Sequence, residues 1–403
     1  MKKEINKTNV KILGSIIKMN RICQNMSQKS LSEGICVSSY LSRIENAEII
    51  PSEQVISDLF DALAIHYNDS EGFIQSGKVL FQRFLDELNF NEFSNSRLIF
   101  EQISADSEKY MHSPLIIDYY IVQLAFYCTR KEREIFEETR HLLESVEQLM
   151  NAEQKFRYYL YWGIDTAKVA KDYPAVIEIL DKASTYGENG HLYYWLGFAH
   201  LSLRKDLSAL IQFQKALSTY LDEANLLSII GSYEMLGLTF YASNDYEGGK
   251  PYFEKGLKLA TKLGSHIHES TFRDNLLWGA FRLGQLNPED SFSSDWESLS
   301  ECVTERSIPN QLTHLLQAIE QSNTMFVSTL KPLKKERFVE LMIKHLDKLD
   351  WQGHMIDDEK LLLKLIQMSK GLNYELEKYY SKMYQSFLIQ HRRYKEALEI
   401  QNV

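Results

Sequence analysis

The sequence predicts an all-α fold, and two observations lead to that prediction. Only seven prolines and 18 glycines occur among 403 residues, whereas hydrophobic residues make up 44% and aromatic residues 12%. A chain that is rich in apolar residues and poor in turn formers favours long helices over a turn-rich β architecture. Apolar residues also recur at spacings of three and four along much of the chain, which is the period of an amphipathic helix.

The charge is distributed unevenly. The net charge is −10, yet Met1–Arg43 carries +6 and the remaining 360 residues carry −16. A basic segment on an acidic body favours a polyanionic partner for that segment alone.

Composition also indicates where the protein works. The cysteines form no C-x-x-C pair, which predicts reduced thiols, and they are Cys23, Cys36, Cys128 and Cys302. The charged start lacks the apolar core of a secretory signal, and no apolar run is long enough to span a bilayer. We therefore expect a cytoplasmic protein that does not associate with membranes.

The N-terminal segment has the pattern of several short helices. Apolar residues at helical spacing predict a first amphipathic helix, and they are Ile5, Ile12, Leu13, Ile16 and Ile17. Ser27 is a good N-cap for a short second helix, Gln28 to Glu33, with Leu31 facing inward. Gly34 ends that helix, because glycine adopts the left-handed conformation at little cost.

A third helix is predicted from Ser39 to Glu45, with Ser38 as its cap. The residues predicted to attach the turn and this helix to the core are Ile35, Val37, Leu41 and Ile44. Pro51-Ser52 then opens a further helix, and its predicted inward residues are Val55, Ile56, Leu59, Phe60 and Leu63.

Two short helices joined by such a turn place the second one in the major groove of DNA. Its outward residues are small or hydrogen-bonding near the N-terminus, where base edges lie, and Arg43 supplies a cation for phosphate. The residues predicted to contact double-stranded DNA are Gln28, Lys29, Ser38, Ser39, Tyr40, Ser42 and Arg43. The alternative is a plain helical bundle in which the serines are only caps and Arg43 is a solvated cation.

This stretch resembles the Xre/Cro-repressor type of helix-turn-helix. The family pattern is met by Ser27-Gln28, Leu31, Val37, Tyr40-Leu41-Ser42-Arg43-Ile44-Glu45 and Pro51. Two features depart from it: Ala47 stands near the usual glycine, and the recognition helix holds a single cation. Because phosphate neutralisation supplies much of the affinity for DNA, dimerisation would offset that single cation by doubling the contacts.

From Ser76 onward the chain is a series of helical patterns, three of which resemble tetratricopeptide repeats. The aligned positions are Ile164, Ala167, Val176, Leu180 and Ala183; then Tyr193, Leu196, Gly197, His200, Ala209, Phe213 and Ala216; then Tyr233, Leu236, Gly237, Phe240, Gly249, Phe253 and Gly256. Small residues let two antiparallel helices approach closely, and the large rings fill the gap between repeats. The segments around Leu276–Leu283 and at the C-terminus are predicted to be degenerate units or caps.

Each helical hairpin leaves an apolar face open, so neighbouring repeats must stack. The expected result is a right-handed, TPR-like α-solenoid with a concave surface. We divide the chain into a helix-turn-helix domain (1–66), a linker helix (67–92) and a repeat domain for peptide binding and dimerisation (93–403).

The first helix of each repeat lines the concave surface in such a solenoid. Tyrosine rings supply flat contact area, asparagine amides pair with an extended backbone, and Lys168 or Arg273 meets a terminal carboxylate. The residues predicted to bind a peptide are Tyr158, Tyr161, Asp165, Lys168, Tyr194, Asn225, Glu234, Tyr241, Arg273 and Asn275. The alternative at each position is ordinary surface exposure or packing between helices.

A helix-turn-helix followed by such an array resembles the RRNPP family of peptide-pheromone receptors, which includes PlcR-like and NprR-like regulators. The resemblance implies a homodimeric transcription factor in quorum sensing, whose repeats bind a short, re-imported signalling peptide. Two alternatives stay open: an adaptor that docks another protein, such as a phosphorelay component, and a constitutive dimeric DNA-binding regulator.

Signatures of catalysis are missing from the sequence. It contains no G-x-x-x-x-G-K-[ST] or G-x-G-x-x-G phosphate loop and no G-x-S-x-G elbow. His266 and His268 form the one close histidine pair, and no third ligand accompanies them. We therefore predict neither enzymatic activity, nor a cofactor, nor a metal site.

Overall fold

The computed structural model describes residues 7–128, 130, 132–283, 357–369 and 374–400. The described residues lie in helices and in the turns between them, with no β-strand among them, which confirms the predicted fold class. None of the described helices combines the length and apolarity that crossing a bilayer requires. The predictions for Ile5 and Cys302 fall outside the described residues.

Four helices form the N-terminal head: α1 (Lys7–Cys23), α2 (Gln28–Ser32), α3 (Ser38–Glu45) and α4 (Glu53–Ala62). Their inward residues form one buried cluster, and they include Leu13, Ile16, Ile17, Leu31, Leu41, Ile44, Ile56, Leu59, Phe60 and Leu63. The sequence pattern therefore identified most of the core of the head.

The turn between α2 and α3 confirms two predicted capping residues. The Ser27 hydroxyl accepts a hydrogen bond from the backbone N–H of Ser30 at 3.0 Å, and Gly34 has a φ of +77°. The predicted cap of α3 is wrong, because Val37 occupies the N-cap position and Ser38 is the first helical residue. The Ser38 hydroxyl instead lies 3.0 Å from the Ser32 hydroxyl.

The prediction that Val37 belongs to the core is also wrong. Its side chain is 68% exposed, whereas Ile35 packs against the core as predicted. Ile35 and Cys36 attach the turn between α2 and α3 to the core, whereas Val37 faces solvent at the start of α3.

Helices also make up the rest of the described chain. In order they are α5 (Glu71–Asn89), α6 (Phe93–Ala105), α7 (Ser107–Met111), α8 (Ile116–Cys128), α9 (Arg133–Ser145), a 3₁₀ turn (Glu147–Leu149), α10 (Ala152–Asp165), a π-helical turn (Thr166–Ala170), α11 (Tyr173–Ser184), α12 (Gly190–Ser202), α13 (Asp206–Asp222), α14 (Leu226–Ala242), α15 (Tyr246–Lys262), α16 (His266–Arg282), α17 (Glu359–Ser369), α18 (Tyr374–Gln390) and α19 (Tyr394–Ile400).

The chain forms two compact units, Met1–Ile229 and Ile230–Val403. In the first unit, the predicted linker helix α5 contributes Phe84 and Leu85 to the same buried cluster as Ile16 of the head. In the second unit, Phe253 and Phe272 belong to a separate core. The division at residues 66 and 92 remains a prediction.

Glycine–phenylalanine contacts hold the helical hairpins together. A Cβ atom on Gly197 of α12 would lie 2.8 Å from Cδ1 of Phe213 of α13, and one on Gly237 of α14 would lie 2.5 Å from Cζ of Phe253 of α15. These close approaches are the ones that the repeat pattern predicts.

The first predicted repeat differs from the others by one residue. The small residue that faces Leu180 is Gly163, not the aligned Ile164. The helix continues into the π-helical turn Thr166–Ala170, and such a turn accommodates one extra residue. The register of this repeat is therefore shifted by one position relative to its neighbours.

Replacing Gly197 with alanine is expected to lower the free energy of unfolding by about 1–3 kcal/mol, because the new methyl group collides with a packed phenyl ring. Gly72 of α5 has open space around its Cβ position, so the matched variant Gly72→Ala should leave stability unchanged or raise it by up to about 1 kcal/mol. Urea unfolding of both variants measures the difference. Equal stability of the two would contradict the proposed close contact.

Candidate nucleic-acid interface and peptide groove

A buried ion pair fixes the recognition helix α3 within the head. Glu45, at the end of α3, is fully buried and faces Arg21 of α1, whose Nε lies 2.6 Å from Oε1. A second nitrogen of Arg21 donates to Oε2 of Glu45 at 2.9 Å, and Gln28 of α2 donates to the same oxygen at 2.7 Å. The Glu45 carboxylate thus joins α3 to α1 and α2 and sets the orientation of α3.

The residues predicted to contact DNA differ in how exposed their side chains are. Ser39, Arg43 and Lys29 are exposed. Tyr40 and Ser42 are half-buried on the same short helix. Nε of Arg43 lies 3.8 Å from Oε2 of Glu48, and both side chains are more than half exposed. The α3 surface therefore offers hydroxyl groups, a phenol and a cation to a partner.

Two of the predicted DNA contacts are engaged inside the head. The amide nitrogen of Gln28 is directed to Glu45, and the Ser38 hydroxyl faces Ser32. Sequence reasoning could not foresee these roles, because both depend on how α2 and α3 pack. The two side chains act in this structure as positioning groups for α3.

The head is packed against the helices that follow it. The polar contacts that join them include three from side chains: Nδ2 of Asn20 donates to the carbonyl of Met111 at 3.0 Å, Sγ of Cys23 lies 3.2 Å from the Tyr120 hydroxyl, and Nε2 of Gln148 donates to Oδ1 of Asn46 at 3.1 Å. Asn46 is the C-cap residue of α3. The recognition helix is therefore linked directly to the turn that precedes α10.

A cleft of about 860 Å³ accompanies this junction. It is bounded by residues of α1, α5, α8 and α10, and its apolar lining includes Ile12, Phe81 and Leu115. Asp118 lines it and accepts a hydrogen bond from Gln154 at 3.1 Å. Burial raises the pKa of this carboxyl above its ordinary value.

Four of the ten predicted peptide-binding residues are buried, which corrects their predicted placement on an open groove: Tyr158, Asp165, Asn225 and Tyr241. Asp165 pairs with Arg133, and although that guanidinium opposes the effect, burial raises the pKa of the Asp165 carboxyl. Nδ2 of Asn225 donates to the carbonyl of Asn89 at 2.7 Å, across 136 residues of sequence. Helical period does not reveal whether a face meets the groove or a neighbouring helix.

Lys168 and Tyr194, two of the predicted peptide-binding residues, both contact the ring of Trp195. The Lys168 ammonium group lies 5.4 Å from the centre of the Trp195 ring. The centres of the Tyr194 and Trp195 rings are 5.7 Å apart. Phe198 packs against Trp195 at 5.5 Å, and Tyr173 packs against Phe198 at 6.0 Å. We call these five residues the Lys168–Trp195 cluster.

This cluster combines a cation with partly exposed rings, which is a suitable surface for a peptide carboxylate and its apolar side chains. The predicted peptide-binding residues do not include its central residue, Trp195. The run Tyr193-Tyr194-Trp195 was a visible signal, because three aromatic residues in succession exceed what one buried helix face accommodates.

The other predicted groove residues are distributed over both units. Tyr161 in the first unit is half-buried, as are Glu234 and Asn275 in the second, and Arg273 is exposed. Tyr241 donates a hydrogen bond to the carbonyl of Asn275 at 3.1 Å, so these two residues serve packing within the second unit.

His191 provides a pH-dependent contribution to stability close to Lys168. Burial, together with the Lys168 ammonium group, lowers the pKa of His191 to about 4, and its Nδ1 lies 3.1 Å from the Tyr220 hydroxyl. The unfolded chain binds a proton at this residue below about pH 6.5, whereas the folded chain does so only near pH 4. Stability is therefore lost as the pH falls through this range.

Because of His191, we expect the free energy of unfolding to fall by about 2 kcal/mol when the pH is lowered from 7 to 5. Urea unfolding at the two pH values measures the loss, and His191→Gln supplies the control, since glutamine does not titrate. The wild type should lose about 2 kcal/mol more than this variant. An equal loss in both proteins would mean that His191 is not responsible.

The histidine pair noted in the sequence takes part in local contacts. His266 lies 3.3 Å from Glu269, and Nδ1 of His268 lies 2.7 Å from the Ser265 hydroxyl. Within the described ranges, no group of three or more His, Cys, Asp or Glu side chains is arranged to hold a metal ion.

Comparisons with known proteins give the class of the head and of the fold. Residues 17–69 match the helix-turn-helix family model. The transcriptional activator NprA of Geobacillus stearothermophilus is 22% identical over 255 residues, and the match covers 61% of this chain. This chain spans 62% of the length of that relative.

Two solved structures share the fold over most of the chain. A Rap protein complexed with competence and sporulation factor has a TM-score of 0.60 at 11% identity, covering 81% of this chain and 96% of that one. NprR in complex with its cognate peptide NprX has a TM-score of 0.55 at 15% identity, covering 81% of this chain and 98% of that one. The chain thus carries a helix-turn-helix over residues 17–69 and shares its helical fold with a Rap protein and with NprR, which confirms the predicted architecture.

Proposed function

We propose that this chain is a DNA-binding transcriptional regulator whose helical array binds a short signalling peptide, and that peptide binding changes its affinity for DNA. The observation that carries the proposal is the direct attachment of the recognition helix to the array. Asn46, which caps α3, is hydrogen-bonded to Gln148, and α10 begins four residues beyond Gln148. A ligand that shifts α10 would therefore act on the DNA-reading surface.

DNA binding is supported by the exposed surface of α3 and by its fixed orientation. The Arg21–Glu45 pair holds the helix, while Ser39 and Arg43 stay exposed. The head carries the positive charge of an otherwise acidic protein, which favours a nucleic-acid partner for the head alone. A homodimer would read two half-sites about 34 Å apart, one turn of the double helix.

Peptide binding is supported by the Lys168–Trp195 cluster and by the known relatives. Lys168 provides a cation for the terminal carboxylate, and Trp195 and Tyr194 provide flat contact area. NprR, which shares the fold, was solved with its cognate peptide. We extend that ability to this chain as part of the proposal.

The mechanism follows from the path between the two surfaces. Glu147, next to Gln148, pairs with Lys182 at 3.3 Å and accepts a hydrogen bond from Tyr159 of α10. Although burial opposes the effect, these two partners and the ammonium group of Lys155 lower the pKa of the Glu147 carboxyl, so it is charged at neutral pH. A peptide that displaces α10 or α11 would move this turn, and Asn46 with it, which changes the position of α3.

A second candidate function is an adaptor that docks a folded protein. The observation that favours it is the shared fold with a Rap protein at a TM-score of 0.60. An adaptor would retain a stoichiometric protein partner in solution and would bind duplex DNA without sequence preference.

The experiment is a selection of duplexes from a random pool by the full chain, followed by anisotropy titrations of the selected duplex. We expect enrichment of a sequence with two related half-sites and a clear preference over an unrelated duplex. If no sequence is enriched, the regulator proposal fails and the adaptor is favoured.

A further inference from the structure

Val37 occupies a position that neither capping nor packing explains. It is the N-cap residue of α3, with an extended backbone and no side-chain capping bond. Serine, threonine, aspartate and asparagine are strongly preferred there, and valine is among the poor choices. Its side chain is 68% exposed, although the apolar residues Leu41 and Ile44 of the same helix are buried.

The backbone of Val37 contributes to the helix, but its side chain does not. The carbonyl oxygen accepts hydrogen bonds from the N–H groups of Tyr40 at 2.9 Å and Leu41 at 3.2 Å. Any residue in an extended conformation would supply that carbonyl. The exposed isopropyl group therefore contributes nothing that the fold of the head requires.

The location of Val37 indicates what the side chain could contact. In a helix-turn-helix, the residues at the N-terminal end of the recognition helix meet the base edges in the major groove. Ser39 and Arg43, the exposed side chains of α3, are polar, so Val37 is the exposed apolar group at this end of the helix. The C5-methyl group of thymine is the apolar feature that the major groove presents, and it distinguishes thymine from cytosine.

We propose that Val37 reads the C5-methyl group of one thymine in each half-site. This inference rests on the proposed DNA-binding function and names the base that the head selects. Removing a methyl group from such a contact weakens binding by about fourfold. Valine at this position therefore gives up the stabilising side-chain cap of α3 and provides specificity for a base.

The test uses a duplex that the wild-type chain selects from a random pool. Each thymine is replaced in turn by deoxyuridine, which lacks only the methyl group, and binding is measured by fluorescence anisotropy. The variants are Val37→Ala and, as a matched control, Val79→Ala on α5, whose side chain is 59% exposed and lies outside the head. Val37→Ile keeps branched methyl groups at the position.

We expect the wild type, Val79→Ala and Val37→Ile to lose about fourfold in affinity when one particular thymine is replaced. Val37→Ala should bind the unmodified duplex about sixteenfold more weakly, because the contact is lost in both half-sites, and it should be insensitive to that replacement, because a contact that is already absent cannot be lost again.

Two results would overturn the inference, and they are distinguishable. If no duplex is selected, the inference fails together with the proposed function. If a duplex is selected and binds tightly, but Val37→Ala remains as sensitive as the wild type to every deoxyuridine, the regulator stands and the role of Val37 is wrong.

Discussion

Replacing Glu45 with alanine is expected to lower the free energy of unfolding of the head by about 3–5 kcal/mol. The change leaves Arg21, whose side chain is only 12% exposed, without its anionic partner, and it removes the acceptor of Gln28. An unpaired cation inside the head costs far more than the ion pair itself contributes. Urea unfolding and hydrogen exchange of residues 10–63 measure the loss.

Two controls separate this effect from a general loss of charge. Glu101 pairs with Arg97 on the surface of α6, with both side chains largely exposed, so Glu101→Ala should change stability by less than about 1 kcal/mol. The double variant Arg21→Met/Glu45→Leu should recover much of the lost stability, since no charge is left unpaired. If Glu45→Ala unfolds no more easily than Glu101→Ala, the ion pair does not hold α3.

Replacing Tyr40 and Arg43 together with alanine is expected to weaken DNA binding at least tenfold. Loss of one specific contact to a base costs about 1–3 kcal/mol, and a dimer would lose each contact twice. The slope of log affinity against log salt should also become shallower by about one unit for each phosphate contact removed. Anisotropy titrations of the selected duplex at several salt concentrations measure both quantities.

The matched control for charge is Arg97→Ala, which removes an exposed arginine outside the head. Its affinity and its salt dependence should equal those of the wild type. Unchanged binding by the Tyr40/Arg43 variant would mean that α3 does not enter the groove of DNA.

Local signals were sufficient to predict much of the head. Ser27 and Gly34 act within one turn of the chain, so residue type alone identifies their roles. Buried Leu41 and Ile44 follow from helical period. The pair Arg21–Glu45 could not be predicted in this way, because it joins residues 24 apart through tertiary packing.

In the helical array too, local sequence patterns were predictable, whereas contacts between distant residues were not. The close helix approach at Gly197 follows from the repeat pattern and is confirmed by the Phe213 contact. The burial of Asn225 and Asp165 was not predictable, since their partners, Asn89 and Arg133, come from earlier helices. Residue types suited to a peptide are equally suited to joining helices.

The most direct measurement of the proposed coupling is the affinity of the full chain for its selected duplex with and without peptide. The probe is a pool of short synthetic peptides with free carboxyl termini, compared with the same pool amidated. We expect the free-acid pool to shift DNA affinity at least fivefold and the amidated pool to have less effect, because Lys168 would meet the carboxylate. Lys168→Met should abolish the shift, whereas Lys205→Met, at an exposed lysine outside the cluster, should preserve it. Identical DNA affinity under all these conditions would contradict a peptide-controlled regulator.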